Sequence, residues 1–427
     1  MEQYAKILMI ASPIFFLFVL GEKLYGWYYK KDEFKAMDMI SSLSSGFTNA
    51  LKDSLGLGIS LITYSWLESK VALVTIPFTW LNVVIAFIVL DFAGYWGHRI
   101  NHYNNFFWNQ HIIHHSSEEF NLACALRQSI SNFVNFFTIF LLPAALLGVD
   151  FKIIAIISPI HLFAQFWYHT TYINKMGIWE KIIVTPSHHR VHHAINPIYI
   201  DKNHGQIFII WDKLFGTFQE ELENEKPIYG ITVPVRTWNP IKINFQHLWL
   251  LIKDSFRTQK WADKLKVWYG KTGWRPEDMT KNFPVQKITD PQSYQKFAPI
   301  TSRNLSIWSW IQFMITFGFL MHLYSNVGHE TYTNLILYGL FIFLSIYCYT
   351  ELMDKNKNAF WYEIAKNLIG IFIYIKFGTW FHLSENQPTL ENLVLIYFGI
   401  SPIIVAYFSF FEFDNETKSE QFEKIAI

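Results

Sequence analysis

The sequence has few cysteines, few charged residues and no surplus of charge of either sign. It holds 2 cysteines in 427 residues, which excludes the disulfide framework of a small secreted protein. Its net charge is +1, so no basic surface argues for nucleic acid as a partner. Charged residues make up 16% of the chain, whereas 51% is hydrophobic and 19% aromatic. This balance favours an integral membrane protein over two soluble domains.

Apolar segments recur along the chain at lengths close to a membrane span. A transmembrane helix needs about 20 mainly apolar residues. We expect crossings at 7–29, 46–66, 71–90, 133–147, 153–168, 306–324, 331–350, 360–381 and 390–411. The expected fold is therefore an all-α integral membrane protein with about nine transmembrane helices.

A polar stretch from 170 to 304 carries too many charges to cross a bilayer, and we expect it to lie against the membrane. The chain then divides into N-terminal transmembrane helices at 1–89, a histidine-rich core at 90–220, a soluble region at 221–304 and C-terminal transmembrane helices with a short polar tail at 305–427. Most lysines and arginines, beginning with Lys30, Lys31 and Lys35, fall in the loops on one side of these spans. The positive-inside rule predicts that this side, which carries the histidines, is cytoplasmic.

Histidines are concentrated between residues 98 and 193, where 11 of the 16 in the chain occur. Most of them form spaced groups: His98 and His102, then His111, His114 and His115, then His188, His189, His192 and His193. Residues three and four apart share a helix face, so each group can direct two or three imidazoles at one point. This spacing is typical of a metal site built on helices.

Nine histidines are candidate metal ligands: His98, His102, His111, His114, His115, His169, His189, His192 and His193. A closed zinc site takes four ligands and a catalytic zinc three plus water, so nine ligands predict two metal ions. Imidazoles suit zinc, copper and iron alike, so the spacing does not choose the metal. The isolated histidines His161, His204, His247, His322, His329 and His382 are expected to be structural.

Polar residues beside these groups are candidates to orient the ligands. Asp91 precedes His98 and His102 on one helix face, near the hydrocarbon edge, where an unpaired carboxylate is costly. We therefore expect it to accept the second N–H of a ligand. Further candidates for this role are Gln165, His188, Asn196 and Asp201. Thr185 and Pro186 predict the start of a helix that carries the last group.

The three groups resemble the HxxxH, HxxHH and HxxHH pattern of the fatty acid hydroxylase and sterol desaturase superfamily. The matching elements are His98-x-x-x-His102, His111-x-x-His114-His115 and His189-x-x-His192-His193. Within the superfamily the chain is most similar to the alkylglycerol monooxygenases, which cleave ether lipids in membranes. This similarity extends over residues 111–122, 125–129, 185–193, 196–197, 201–203 and 210–218.

The resemblance implies a centre of two Fe ions that activates dioxygen and hydroxylates a C–H bond of a membrane lipid. In the alkylglycerol enzymes that carbon lies next to the ether oxygen, a fatty aldehyde is released, and tetrahydrobiopterin is the reductant. By motif position, Glu118, Glu119 and Asn121 are candidate pterin contacts, with helix capping by Ser116 and Glu119 as the alternative. Tyr103 stands where the animal enzymes carry Glu, which leaves pterin dependence open.

Two other functions fit the same residues. One is a hydroxylase or desaturase of a sterol, carotenoid or fatty-acyl substrate that uses another electron donor. The other is a metal-binding membrane protein without oxygenase activity, such as a transporter or sensor. Histidines of a transporter would line a path between the spans, whereas here they gather at one face. We therefore expect an enzyme whose partners are a membrane lipid, dioxygen and a reductant.

Overall fold

The computed structural model describes residues 2–29, 35–60, 62–74, 79–132, 134–135, 137–383 and 387–413. Its α-helices are α1 Glu2–Tyr28, α2 Ala36–Ser54, α3 Tyr64–Val71, α4 Trp80–Tyr103, α5 Asn105–Trp108, α6 Ile112–His115, α7 Leu142–Leu146, α8 Phe151–Phe163, α9 Pro186–His192, α10 Ile210–Phe215, α11 Pro240–Arg257, α12 Trp261–Tyr269, α13 Glu277–Asn282, α14 Arg303–Asn326, α15 Tyr332–Met353, α16 Ala359–Phe377 and α17 Pro388–Tyr407. Short 3₁₀ helices occur at Cys124–Leu126, Phe137–Leu141, Gly177–Lys181 and Pro291–Ser293, and a π-helical turn, Phe408–Glu412, follows α17.

The expectation of a helical fold is confirmed. Within the described residues, the sheet structure consists of one parallel pair of two-residue strands, β1 Ile59–Ser60 and β2 Val134–Asn135, and two isolated bridges. Ile59 pairs with Val134 and Ser60 with Asn135. This small pair joins the segment before α3 to the segment before α7, so it connects the chain on both sides of α4.

Among the described residues, five helices are long and apolar enough to cross a bilayer: α1, α4, α14, α15 and α17 with its π-helical turn. They correspond to the predicted spans at 7–29, 71–90, 306–324, 331–350 and 390–411. α4 begins at Trp80, later than predicted, because the side chain of Thr79 caps its first turn. It continues to Tyr103, so His98 and His102 lie on the same helix as Asp91.

The other predicted crossings are not confirmed. The segment 46–66 is not one helix, because α2 ends at Ser54 and α3 begins at Tyr64. Phe133 lies outside the described residues, and the rest of the segment 133–147 forms β2, a 3₁₀ helix and the short α7. α8 replaces the span predicted at 153–168 and has 13 residues. A helix of that length rises about 20 Å, less than the hydrocarbon thickness of about 30 Å.

The predicted span at 360–381 forms α16, which is not among the five apolar helices of the described chain, since it carries Glu363, Lys366 and Lys376. The short helices α3, α7 and α8 pack with α4 around a small core that includes Ala86, Ala144 and Ile153. Lys30, Lys31 and the tail after residue 413, which contributed to the orientation prediction, lie outside the described residues.

α2 runs antiparallel to α15 inside the helical bundle. Near the middle of α2, Ser44 Oγ lies 2.6 Å from Tyr349 Oη, and just beyond its end the Leu55 carbonyl accepts a hydrogen bond of 3.1 Å from Tyr332 Oη. The serines of α2 at 41, 42, 44 and 45 are buried. Because protein rather than lipid surrounds α2, its polar sequence does not reveal that it lies alongside a membrane span.

α11 connects the polar region to the C-terminal helices and to the histidine-rich core. Glu351, at the end of α15, forms an ion pair of 2.5 Å with Lys242 of α11 and accepts a hydrogen bond of 2.8 Å from Asn239. On its other side, Leu248 N donates to Asn109 Oδ1 at 3.0 Å, in the turn before α6. α11 therefore packs against α6, which carries candidate histidines, and is held in place by Glu351 on one side and Asn109 on the other.

Candidate metal centre

Five of the nine candidate ligands converge in a first group. His98 and His102 come from α4, His111 caps α6, His115 ends α6, and His192 ends α9. One ring nitrogen of each lies within 4.8 Å of those of the others. Nε2 of His111 is 2.9 Å from Nε2 of His98 and 3.1 Å from Nε2 of His115. The first group thus joins three helices at one point.

The remaining four, His114, His169, His189 and His193, form a second group with the same spacing limit of 4.8 Å. Nε2 of His189 lies 2.8 Å from Nε2 of His169 and 3.0 Å from Nε2 of His193. The rings of His115 and His193 stack at a centroid distance of 4.3 Å, so the two groups are neighbours.

Helix geometry explains how neighbouring residues reach different groups. Successive residues on an α-helix point about 100° apart, so His114 and His115 of α6 point into the second and first groups respectively. On α9, His189 and His193 are one turn apart and share the second group, while His192 turns to the first. Three of the four histidines at this helix, His189, His192 and His193, thus belong to the two groups.

Backbone carbonyls fix the tautomers of four of these histidines. Nδ1 lies beside a carbonyl oxygen in each of four pairs: His98 with His204 at 2.9 Å, His114 with Arg127 at 3.3 Å, His169 with Gln165 at 3.1 Å, and His192 with Lys202 at 2.9 Å. A carbonyl oxygen can only accept, so each Nδ1 carries the proton and each Nε2 carries a lone pair. These four lone pairs are directed toward the two groups.

Some of the converging ring nitrogens have no hydrogen-bond donor among the described residues. Nε2 of His169 and of His114 face each other at 3.4 Å, and Nε2 of His102 and of His192 are buried without a partner in the described chain. Burial lowers the pKa of His114 to about 3 and holds the pKa of His169 well below its usual range, so a shared proton is disfavoured. Neutral, buried imidazoles with facing lone pairs are the arrangement that a transition-metal ion completes.

Two of the residues expected to orient ligands contact them. Asp201 Oδ1 lies 3.6 Å from Nδ1 of His102, and Gln165 uses its backbone carbonyl for His169. Burial raises the pKa of Asp201. Asp201 also adopts a left-handed backbone conformation with φ of 57°, which aims the following residues back toward the centre.

Asp91, which was expected to orient a ligand, has other partners among the described residues. Its carboxylate accepts hydrogen bonds from His161 Nε2 at 2.8 Å, from the backbone N–H groups of Ile207 and Phe208, and from Trp211 Nε1 at 2.8 Å. These are its partners in the described residues, and none of them is one of the nine histidines. The buried carboxylate is instead satisfied by α8, by α10 and by the two residues 207 and 208 before α10.

His188 and Asn196 likewise lie outside both groups as the described residues define them. His188 Nδ1 is 3.4 Å from the backbone nitrogen of Thr185, and the two residues form a capping box at the start of α9. This confirms the helix start predicted at Thr185. The side-chain amide of Asn196 donates to Glu225 and to the carbonyl of Lys226, so it stabilises a loop and, within the described chain, contacts no candidate ligand.

The candidate pterin contacts are occupied by partners in the chain. Glu118 accepts hydrogen bonds from Tyr294 Oη at 2.6 Å and from the backbone of Phe297, and Glu119 forms an ion pair of 2.9 Å with Lys296. Asn121 Oδ1 accepts from the backbone nitrogens at 123 and 124. The helix predicted to begin at Ser116 does not form, because Ser116 ends α6.

His204, which was expected to be structural, lies at the edge of the first group. Its carbonyl accepts from His98, and its ring centroid is 4.9 Å from that of His102. Nε2 donates to the Asp201 carbonyl at 3.1 Å, whereas the buried Nδ1 has no partner among the described residues. The sequence offered no spacing signal for it, since no second histidine stands one helical turn away.

Arg127 is a second residue that the motif spacing did not select. Its guanidinium is buried and donates to Asp38 at 2.6 Å, Ser42 at 2.8 Å and Ser116 at 2.8 Å, while its carbonyl holds His114. Because Asp38 and Ser42 belong to α2, this ion pair fixes the position of a candidate ligand relative to the helical bundle.

A cavity of about 430 Å³ opens onto both groups. His102, His115, His192 and His193 lie on its wall. Much of the remaining wall is apolar and includes Ile112, Ile195, Ile231, Val233, Leu250 and Leu251. Lys253 and Lys287 lie along its more polar rim. The volume and the apolar lining are typical of a site for a small organic ligand.

Comparisons with known proteins agree with this geometry. The fatty acid hydroxylase family model matches residues 83–217, the part of the chain that holds the nine histidines. An alkylglycerol monooxygenase from Homo sapiens is 33% identical over 407 residues, 94% of this chain and 88% of the relative. One from Xenopus tropicalis is 32% identical over 91% of this chain and 86% of the relative.

A more distant relative is the ornithine lipid hydroxylase OlsE from Rhizobium tropici, 27% identical over 35% of this chain and 46% of its own length. No solved structure matches the chain. The animal relatives match nearly the full length, so the similarity includes the membrane helices on both sides of the histidine groups. The chain therefore belongs to the alkylglycerol monooxygenase family and is a multi-pass membrane oxidoreductase, a monooxygenase that hydroxylates lipid.

Proposed function

We propose that the two histidine groups hold two iron ions and that the enzyme hydroxylates the carbon next to the ether oxygen of an alkylglycerol. The observation that carries this proposal is the convergence of nine buried or partly buried imidazoles beside an apolar cavity. Imidazole ligands suit iron as well as zinc and copper. The alkylglycerol substrate is favoured because the full-length relatives are named alkylglycerol monooxygenases. Iron is favoured by the match to the fatty acid hydroxylase family.

Two iron ions held by these nine residues would supply the activation of dioxygen for oxygen insertion into a C–H bond. The hydroxylated carbon then bears both a hydroxyl group and the ether oxygen, which makes it a hemiacetal. Its O–H proton passes to the ether oxygen as the C–O bond breaks, and a fatty aldehyde and a glycerol leave. The second oxygen atom is reduced to water by two electrons and two protons, for which we propose a tetrahydropterin as donor.

The residues of the chain orient this chemistry. The carbonyls of His204, Arg127, Gln165 and Lys202 hold four imidazoles with their lone pairs inward. The apolar wall excludes water and accommodates the hydrocarbon portion of the substrate, which prefers apolar surroundings. α11 covers this wall, so its anchors at Glu351 and Asn109 support the shape of the cavity.

We further propose that residues 90–220 are the catalytic core and that the centre faces the cytoplasm. The match of the hydroxylase family model to residues 83–217 supports this boundary. The distribution of lysines and arginines supports the orientation. At this position a lipid can approach from the bilayer while a polar reductant arrives from the aqueous side.

Metal analysis of the purified protein beside an assay of fatty aldehyde release tests the proposal. The assay supplies an alkylglycerol, dioxygen and tetrahydrobiopterin, and we expect about two iron ions per chain and aldehyde formation. An acylglycerol of the same chain length is the matched substrate control, because its ester carbon cannot form a hemiacetal by the same route. Zinc in both groups, or no oxygen consumption with iron bound, would refute the proposed chemistry.

A second candidate reaction is lipid hydroxylation without cleavage. The match to a relative named ornithine lipid hydroxylase favours it, as does Tyr103 at a position where the animal enzymes carry Glu. Mass spectrometry of the lipid product separates the two reactions. A stable hydroxylated product from a sterol, carotenoid or fatty-acyl substrate would establish this second reaction, provided that the alkylglycerol releases no aldehyde.

A further inference from the structure

An exposed apolar surface lies beside the metal centre, in the region that the sequence assigned to the aqueous side. It consists of the side chains of Ile178, Trp179, Ile182, Ile210, Leu214 and Phe215, here called the loop patch. Each of these six side chains is between 38% and 66% exposed. Exposed apolar patches of this kind mark contacts with a protein, a ligand or a membrane.

The two segments that form the loop patch are joined into one unit. Val184 N donates to the Ile207 carbonyl at 2.8 Å, and Ile209 N donates to the Ile182 carbonyl at 3.1 Å. Lys213 Nζ donates to the carbonyl of Lys181 at 3.0 Å and so ties α10 to the 3₁₀ helix Gly177–Lys181. The loop patch is therefore a fixed surface rather than two independent loops.

Packing against α4 sets the depth of the loop patch. Phe92 of α4 lies 5.2 Å from Trp211, and Trp96 lies 5.1 Å from Phe215, measured between ring centroids. A hydrocarbon layer of about 30 Å spans roughly 20 helical residues. A span that starts at Trp80 therefore extends to about residue 100, which places Phe92 and Trp96 in its second half. α10 lies at that same level, inside the membrane boundary.

Basic side chains accompany the loop patch. Lys175, Lys181 and Lys213 are exposed in the same two segments. Lysines beside exposed tryptophan and leucine are typical of elements that lie in the plane of a membrane interface, where the ammonium groups reach lipid phosphates. A surface of this composition fits the boundary between headgroups and acyl chains.

We propose that the loop patch is inserted in the plane of the bilayer, at the headgroup boundary of the leaflet on the histidine side. The lysines bind lipid phosphates and the six apolar side chains replace water by acyl chains. α9 begins at Pro186, directly after the Ile182–Val184 contacts, so the insertion fixes the height of the second histidine group relative to the lipid. This inference is independent of the metal and of the reaction.

Site-specific fluorescence quenching tests the insertion. Both native cysteines, Cys124 and Cys348, are buried, so a maleimide dye labels an introduced cysteine selectively. Leu214→Cys and Ile178→Cys report on the loop patch, and Glu223→Cys, in the charged segment 220–226, is the solvent control. The labelled chains are reconstituted in phosphatidylcholine vesicles with phosphatidylglycerol and a lipid that carries a nitroxide near the top of its acyl chain.

We expect the nitroxide to quench roughly half or more of the fluorescence at positions 214 and 178, and little of it at position 223. Unchanged metal content in each variant verifies that the chain has folded. Quenching at 214 and 178 no greater than at 223 would overturn the proposal, because the loop patch would then face water. Disulfide crosslinking of Leu214→Cys between two chains, with no quenching, would overturn it in favour of a dimer interface.

Discussion

Two buried clusters of polar side chains in the described chain differ in how their charges are paired. The histidine centre brings together the ring nitrogens of nine imidazoles, and Nε2 of His114 lies 3.4 Å from Nε2 of His169. The second cluster, here called the C-terminal cluster, lies between α14, α16 and α17. Its members are Gln312, Glu363, Lys366, Asn367, Tyr397 and Ser401. There Lys366 Nζ lies 2.5 Å from Glu363 Oε1 and 2.6 Å from Tyr397 Oη, so cation and anion are paired.

The difference separates a site that needs an ion from one that stabilises the fold. Ionisable groups within a membrane are functional candidates by default, and by that criterion alone both clusters qualify. The C-terminal cluster is balanced in charge, and Tyr397 Oη donates a hydrogen bond of 2.7 Å to Gln312 Oε1. In the histidine centre the lone pairs of His114 and His169 face each other, an arrangement that a metal cation would complete. We therefore expect the two clusters to respond differently to substitution.

The largest effect is expected at the histidine centre. His192→Ala removes a ligand of the first group, and His193→Ala removes one of the second. Each should lower turnover by at least about 100-fold, because loss of even the groups that orient ligands costs 10 to 100-fold. Each should also reduce the bound metal, measured per chain by mass spectrometry. His329→Ala, at an exposed histidine, is the control and should change neither quantity. Full metal and full turnover in either ligand variant would contradict the two-ion centre.

The next largest effect is expected in the C-terminal cluster, where a substitution should lower the stability of the fold strongly and leave the bound metal unchanged. Lys366→Met leaves Glu363 buried without its cation, and breaking such a pair costs about 3–5 kcal/mol of unfolding free energy. Thermal unfolding in detergent measures this loss. The double variant Lys366→Met, Glu363→Gln should recover most of it, since no lone charge remains. Loss of metal from the folded Lys366→Met protein would show that the C-terminal cluster is coupled to the centre.

Local spacing explains which parts of this arrangement the sequence could reveal. The nine candidate ligands follow from helix periodicity, which relates residues within one or two turns. Their division into two groups depends on how α6 and α9 are rotated, and no local pattern encodes that. The partners of Asp91 at Ile207 and Trp211 are 116 and 120 residues away, so local spacing could not reveal these contacts.

Burial inside the bundle limited the prediction of spans for a related reason. Hydropathy identifies helices that face lipid, such as α1, whose exposed side chains include Ile7, Ile10 and Leu17. α2 is surrounded by other helices, so serines and the Asp38–Arg127 ion pair are tolerated there. Its position beside α15 follows only from contacts such as that of Ser44 with Tyr349. Conversely, the apolar residues of α8 were mistaken for a span, because they pack around α4 in a helix too short to cross.

A smaller effect is expected at Asp201, which contacts the histidine centre from outside. Asp201→Asn removes the carboxylate 3.6 Å from His102 Nδ1 but keeps a residue that tolerates the left-handed backbone at this position. Metal affinity should fall by about 10-fold, at the low end of the range for residues that orient ligands. Competition with a chelator measures the affinity. Unfolding free energy should stay within about 0.5 kcal/mol of the parent, and a loss of stability without a loss of affinity would contradict the role.

The smallest effect is expected one residue away from a candidate ligand, at His188. Glutamine is a favoured third residue of a capping box, so His188→Gln should keep the cap of α9 with Thr185 and leave metal and turnover within about twofold of the parent. His188→Ala should cost about 1 kcal/mol through the lost cap. His189→Gln, by contrast, removes a member of the second group and should lose metal. The two variants have the same composition, because the same substitution is made at adjacent histidines. A metal loss in His188→Gln equal to that in His189→Gln would mean that the rotation of α9 differs from the one described. Retention of metal in His188→Gln alone would separate capping from ligation within a single helical turn.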